Sequence, residues 1–217
     1  MTVAEKLIEF IQKNRRVLVT VFIVIVVGLV GSLVGLTVRE KLITRAFIQL
    51  DEFEQRHLAL AGNINADGEE QPDVDALLGE LEAFAAGNSR FPAARAHAIR
   101  ASVFQEQQRW ALARQAWLDA ANAAPQTYFA PVALWNAAVA AEESGDPDAA
   151  IALHARIVQD HESAFFIAAR SQFSIGRLEE SRGGTDAAIA AYQSLVGKWP
   201  QDTHADFAQS RIIVLSY

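Results

Sequence analysis

The chain is expected to be all-α, with one membrane-spanning helix near its start and a stack of helical hairpins behind it. Three observations predict this. Residues Val17–Val38 carry no charged side chain. From Asp75 onward, apolar residues recur at helical spacing between Gly and Pro breaks, with no convincing alternation of period two. Three stretches in the second half also repeat one another at intervals of 37 and 38 residues.

The span reads VLVTVFIVIVVGLVGSLVGLTV, and its only polar side chains are Thr20, Ser32 and Thr37. At about 1.5 Å per residue it is roughly 33 Å long, enough for a hydrocarbon core of about 30 Å. In lipid every backbone N–H and C=O needs a partner inside the segment, and a helix supplies it. Lys6, Lys13, Arg15 and Arg16 precede the span, whereas Arg39, Lys41 and Arg45 follow it. That balance, with the tight Lys13–Arg16 cluster, favours a cytoplasmic N-terminus. The apolar run exceeds the roughly 7–15 residues of a cleaved signal and has no Ala-x-Ala site, so it is expected to stay as an anchor. Met1 is not followed by Gly and there is no cysteine, which excludes lipid anchors. Gly28, Gly31, Ser32 and Gly35 make a small-residue face that suits helix–helix contact in the membrane. Glycine is also simply common in membrane helices.

The order of segments follows from composition. Residues 1–16 form a short cytoplasmic tail, amphipathic over 3–13, that lies on the inner surface or extends the span. Residues 17–38 are the span. Residues 39–74 are a helical extension to about Ala61 and then an acidic loop rich in Gly, Asn, Asp and Pro. The acidic spacing there, Asp67 to Asp75, does not match a calcium-binding loop. Residues 75–217 are the helical domain. After Val38 there are fifteen basic and twenty-four acidic side chains, a net charge of −9. Such a domain is a poor nucleic-acid binder, because phosphate contacts need clustered Lys and Arg. The lack of cysteine excludes disulfides, thiolate zinc sites and thiol nucleophiles, and it suits an oxidising compartment.

The repeat is carried by QQRWALARQAWLDAANAAP, SGDPDAAIALHARIVQDHE and GGTDAAIAAYQSLVGKWP. Each has a small residue (Ala113, Ala150, Ala188), a ring four later (Trp117, His154, Tyr192) and a further apolar position (Ala120, Ile157, Leu195). A small residue lets neighbouring helices approach, and the ring one turn on fills the space between pairs. One unit cannot bury its apolar face alone, so units stack. The pattern resembles the tetratricopeptide repeat (TPR), in which the second helix of each pair carries these positions. First helices match in part: Ile175-Gly176 stands at the Leu-Gly positions, but Gln172 and Glu179 replace the bulky and aromatic residues. A weaker unit, DVDALLGELEAFAAGNSRFP, is expected to pair with the helix before the acidic loop. The last segment, 202–216, reads as a capping helix that is apolar enough to be a contact surface as well.

No constellation for catalysis, metal or cofactor binding is present. The five histidines form no H-E-x-x-H, and there is no phosphate-binding glycine loop or nucleophile elbow. Glu142–Glu143 and Glu179–Glu180 read as solvated charge. A binding surface remains. In the TPR family the first helix of each pair lines the concave groove. Carrying its positions over gives Arg95, Val132 and Arg170; then Ala98, Trp135 and Phe173; then Ser102, Val139 and Arg177. Trp135 and Phe173 would floor the groove, flanked by Arg170 and Arg177, or else lie buried between repeats. A short inner tail, one span and an exported acidic TPR domain together resemble the YfgM-like ancillary subunits of the bacterial SecYEG translocon. That family is thought to link the translocon to periplasmic chaperones. The resemblance implies an inner-membrane scaffold, single-pass, with its domain in the periplasm and other proteins as partners. The alternative is a structural subunit of an envelope machine, such as a periplasmic flagellar motor collar, in which copies pack as a homo-oligomer.

Overall fold

The computed structural model describes residues 14–61 and 71–217. The amphipathic segment 3–13 and most of the acidic loop lie outside the described residues. The chain divides into two compact units, one ending at Ile48 and one running Gln49–Tyr217.

Helix α1, Arg15–Ala61, has 47 residues and enters both units. Its first part is long and apolar enough to cross a membrane, with mean hydropathy 3.0 over its most apolar window and nothing covering it. The hydroxyls of Thr20 and Thr37 donate to the carbonyls of Arg16 (2.9 Å) and Leu33 (3.0 Å). These two hydroxyls thus find partners within the helix, as an apolar surrounding requires. Gly28, Gly31, Ser32 and Gly35 are all exposed along it, and a Cβ built on any of the three glycines meets no atom within 4 Å.

The second unit is helical throughout its described residues: the end of α1, then α2 (Pro72–Gly87), α3 (Phe91–Glu106), α4 (Trp110–Ala123), α5 (Phe129–Glu143), α6 (Pro147–Asp160), α7 (Phe165–Ser181), α8 (Thr185–Lys198) and α9 (Thr203–Leu215). From α2 on, each helix packs on the next, and α7 also touches α5 and α9. This is a solenoid of helical hairpins, α3/α4, α5/α6 and α7/α8, closed by α9. The end of α1 touches α2 through side chains, more loosely than the helices of the later hairpins pack on each other. Arg56 donates to both carboxylate oxygens of Glu80 (2.6 and 3.1 Å), and the Phe53 and Phe84 rings meet edge-on at 5.5 Å.

The repeat positions are the core. Ala113, Ala150 and Ala188 are fully buried, and so are Ala120, Ile157 and Leu195. Trp117, His154 and Tyr192 are buried one turn beyond the first three. Pro92 and Pro131 sit in the first turns of α3 and α5, and Gly197 in the last turn of α8. Proline is tolerated in a first turn because the N–H it lacks would have no helical acceptor there.

Candidate partner groove

The groove side is built from α5, α7 and α9 lying side by side. Each buried ring of a second helix is held from the first helix of its own pair by an acceptor twelve residues earlier. Trp117 Nε1 donates to Gln105 Oε1 (3.1 Å), His154 Nε2 lies 3.5 Å from Glu142 Oε1, and the Tyr192 hydroxyl donates to Glu180 Oε2 (3.1 Å). Against two of these rings a first-helix ring packs at a tilt: Trp135 against His154 (4.8 Å between centroids, 58° between planes) and Phe173 against Tyr192 (5.5 Å, 45°). Trp135 and Phe173 therefore do both things the sequence left open. One face of each packs on the core ring, and both remain half-buried at the surface.

Above them lies an opening of about 370 Å³, lined by Trp135, Val139, Glu142, Arg170, Phe173 and Arg177 together with Glu143, Ser174 and His204. The Arg170 guanidinium stacks 4.2 Å from the centre of the Trp135 ring. A cation over an indole is worth roughly 0.5–2 kcal/mol. Among the described residues Arg170 forms no ion pair, so its N–H donors stay available to an acceptor from outside. Arg177 is committed: it donates to Glu142 Oε2 at 2.5 Å. Burial pushes the Glu142 carboxyl up, but hydrogen bonds from His154 and Arg177 outweigh it and hold the group below the usual carboxylate range. The His204 ring bonds Asp202 (2.7 Å) and lies 5.5 Å from Phe173.

Five of the nine sequence-predicted groove positions thus come together: Trp135, Val139, Arg170, Phe173 and Arg177. Arg95 does not join them. It lines a second opening, of about 190 Å³, with Glu54, His57, Ala98, Ser102 and Trp117, and it pairs with Glu54. Alanine at 98, where the next two units carry rings, leaves Trp117 open to that space. Val132 is half-buried on α5 and lines neither opening. The glutamate pairs need a correction. Glu142 is tied to His154 and Arg177, Glu180 to Arg211 and Tyr192, and buried Glu179 takes two bonds from Arg182 (2.6 and 2.8 Å). The signal that finds Glu142 in the sequence is the twelve-residue spacing between acceptor and ring, which recurs in all three units. Ser174 and His204 carry no such signal. A larger opening, about 580 Å³, lies between the α4–α5 and α6–α7 turns, and no sequence-predicted groove residue reaches it.

A stack of hairpins with an open groove along its first helices defines a class of proteins that bind other proteins. Within that class, the tetratricopeptide repeat profile matches residues 163–202, which hold α7 and α8. A TPR repeat-containing protein of Treponema pallidum (strain Nichols) is 34% identical over 224 residues, covering 96% of this chain and 92% of that protein. The chain belongs to the tetratricopeptide repeat family, whose members are protein–protein interaction scaffolds.

Proposed function

We propose that this chain is a scaffold anchored in a bacterial inner membrane by α1, with its N-terminus in the cytoplasm and its TPR domain in the periplasm. There it docks partner proteins ancillary to the secretion translocon and its chaperones. The inward-to-outward drop in basic residues supports the orientation, and the apolar first part of α1 supports the anchor. Gly28, Gly31, Ser32 and Gly35 serve as the close-approach face of that anchor.

The observation that carries the reading is the stacked Arg170–Trp135 pair beside Phe173. Aromatic anchors with an arginine are what binding hot spots favour. A partner segment lays an apolar side chain on Phe173 and gives Arg170 a carboxylate or carbonyl. Cross-linking of the full-length protein in membranes tests this. R170E is expected to lower recovery of translocon and chaperone subunits about tenfold or more, with the melting temperature falling by only a few degrees, the loss of the exposed cation–indole contact. Undiminished recovery with R170E would remove the groove from the account. The collar reading is favoured by one observation, the bare outer face of α9.

A further inference from the structure

Helix α9 has the register of a first helix. The residues of α7 that face α8 are Gln172, Ile175, Gly176 and Glu179. Gln172 donates to the Ala191 carbonyl at 3.0 Å, and a Cβ on Gly176 would meet the Tyr192 ring. Their counterparts on α5, thirty-eight residues earlier, are Leu134, Ala137, Ala138 and Ala141, all fully buried. Thirty-eight residues later the same positions are Ser210, Ile213, Val214 and Tyr217. Here they are bare. Ile213 is 61% exposed, Val214 59% and Tyr217 fully, and Phe207 on the same stripe is 62% exposed where its α7 counterpart Ala169 is 0%. The face that every earlier first helix turns to a partner helix is present on α9, and among the described residues no helix covers it.

We propose that this face docks on its own copy, α9 against α9 of a second molecule, antiparallel and crossing at Ser210. The stripe is complementary to itself. Its middle is the small Ser210, which lets the two helices approach. Phe207 of each copy meets Ile213 and Val214 of the other. Asp206 is the one charged side chain on the stripe, because Arg211 is turned to Glu180. Lying one turn from the crossing, the two Asp206 carboxylates fall about 12 Å apart, beyond a physiological Debye length of about 8 Å. Covering Phe207, Ile213 and Val214 removes on the order of 300 Å² from each copy, about 600 Å² in the pair, less than a contact between freely diffusing molecules needs. Two copies held in one membrane meet at high effective concentration, which lets so small a contact form. The contact uses neither Arg170 nor Trp135, so its failure leaves the groove reading standing.

The chain has no cysteine, so a single introduced thiol reports this contact cleanly. Full-length S210C, purified and reconstituted into liposomes, is expected to give a disulfide-linked dimer on mild oxidation. Q193C, an exposed position on α8, is not. Adding I213E or V214E to S210C should cut the dimer about tenfold. These side chains are exposed, so the fold is kept, and an unchanged melting curve confirms it. S210C cross-linking no better than Q193C, or no worse with I213E, would overturn the proposal. In native membranes, an S210C adduct of a different mass without the dimer would make the occupant a foreign helix and overturn it as well.

Discussion

Gly176 is the residue where one methyl group matters most. A Cβ there would lie 2.4 Å from one carbon of the Tyr192 ring and 2.6 and 2.8 Å from two more. The ring has nowhere to go. It is buried, bonded to Glu180 at 3.1 Å and packed against the tilted Phe173 ring. Alanine gains about 1 kcal/mol in helix propensity, but overpacking costs about 1–3 kcal/mol or more. G176A is therefore expected to lose about 1–2 kcal/mol net, read as a lower urea midpoint at unchanged slope. In a Y192A background the same change should be neutral or stabilising. Equal losses in both backgrounds would dismiss the clash. The glycine itself is legible in the sequence, at the Leu-Gly position of the resemblance. The ring that demands it comes sixteen residues later in another helix, and only packing brings the two together. The same limit hid the role of Glu142, whose chemistry varies along its ladder. Glutamine serves at 105 and glutamate at 142 and 180, since a ring N–H or O–H needs only an acceptor.

The turns between paired helices are one device built three times. Each closes a first helix with two bonds: Arg109 N to Phe104 O (2.8 Å) and Gln108 N to Gln105 O (2.9 Å), then Asp146 to Ala141 (2.9 Å) with Gly145 to Glu142 (2.9 Å), then Gly184 to Glu179 (2.8 Å) with Gly183 to Glu180 (3.0 Å). The middle residue of each is left-handed, with φ of 56° at Gln108, 73° at Gly145 and 82° at Gly183. This is the Schellman arrangement, which satisfies the last carbonyls of a helix and prefers glycine. Glutamine there carries the strain of an L-residue at positive φ, about 1–2 kcal/mol. Q108G is thus expected to stabilise the domain by about 0.5–1 kcal/mol, whereas G145A costs about 1 kcal/mol. Both are read from melting temperatures, and a destabilising Q108G would mean that its side chain, not its backbone, matters. The second helices were the readable elements, because close approach demands alanine and a filling ring at fixed spacing. First helices blurred, since Leu134, Gln172 and His97 can all serve one position while neighbouring alanines set the distance. Pro92, Pro131 and Gly197 stand inside helices because terminal turns of a helix accept what its middle rejects.

At the scale of the molecule, two kinds of apolar surface are kept apart along the chain. The valines and isoleucines from Val17 to Val30 are exposed, whereas Leu50, Leu77, Leu81, Leu134, Leu195 and the repeat alanines of the second unit are buried. In water the first set would be a large exposed patch that invites association, and in lipid it costs nothing. The second unit has its own buried core. We therefore expect a chain starting at residue 39 to be soluble, helical and cooperative in its melting, and to be absent from the membrane pellet. The full-length protein should stay in the pellet through an alkaline wash. Leucine at both Gly31 and Gly35 should leave that retention intact, because leucine is as apolar as lipid, while removing close contact between spans. Cross-links between thiols placed at Gly28 report that contact. Release of the full-length protein by alkali would refute the anchor. An insoluble or unfolded 39–217 chain would show instead that the stack of hairpins depends on the span. If glycine-face variants cross-link as well as the parent, the small residues are only what membrane helices commonly contain, and pairing of copies rests on α9 alone.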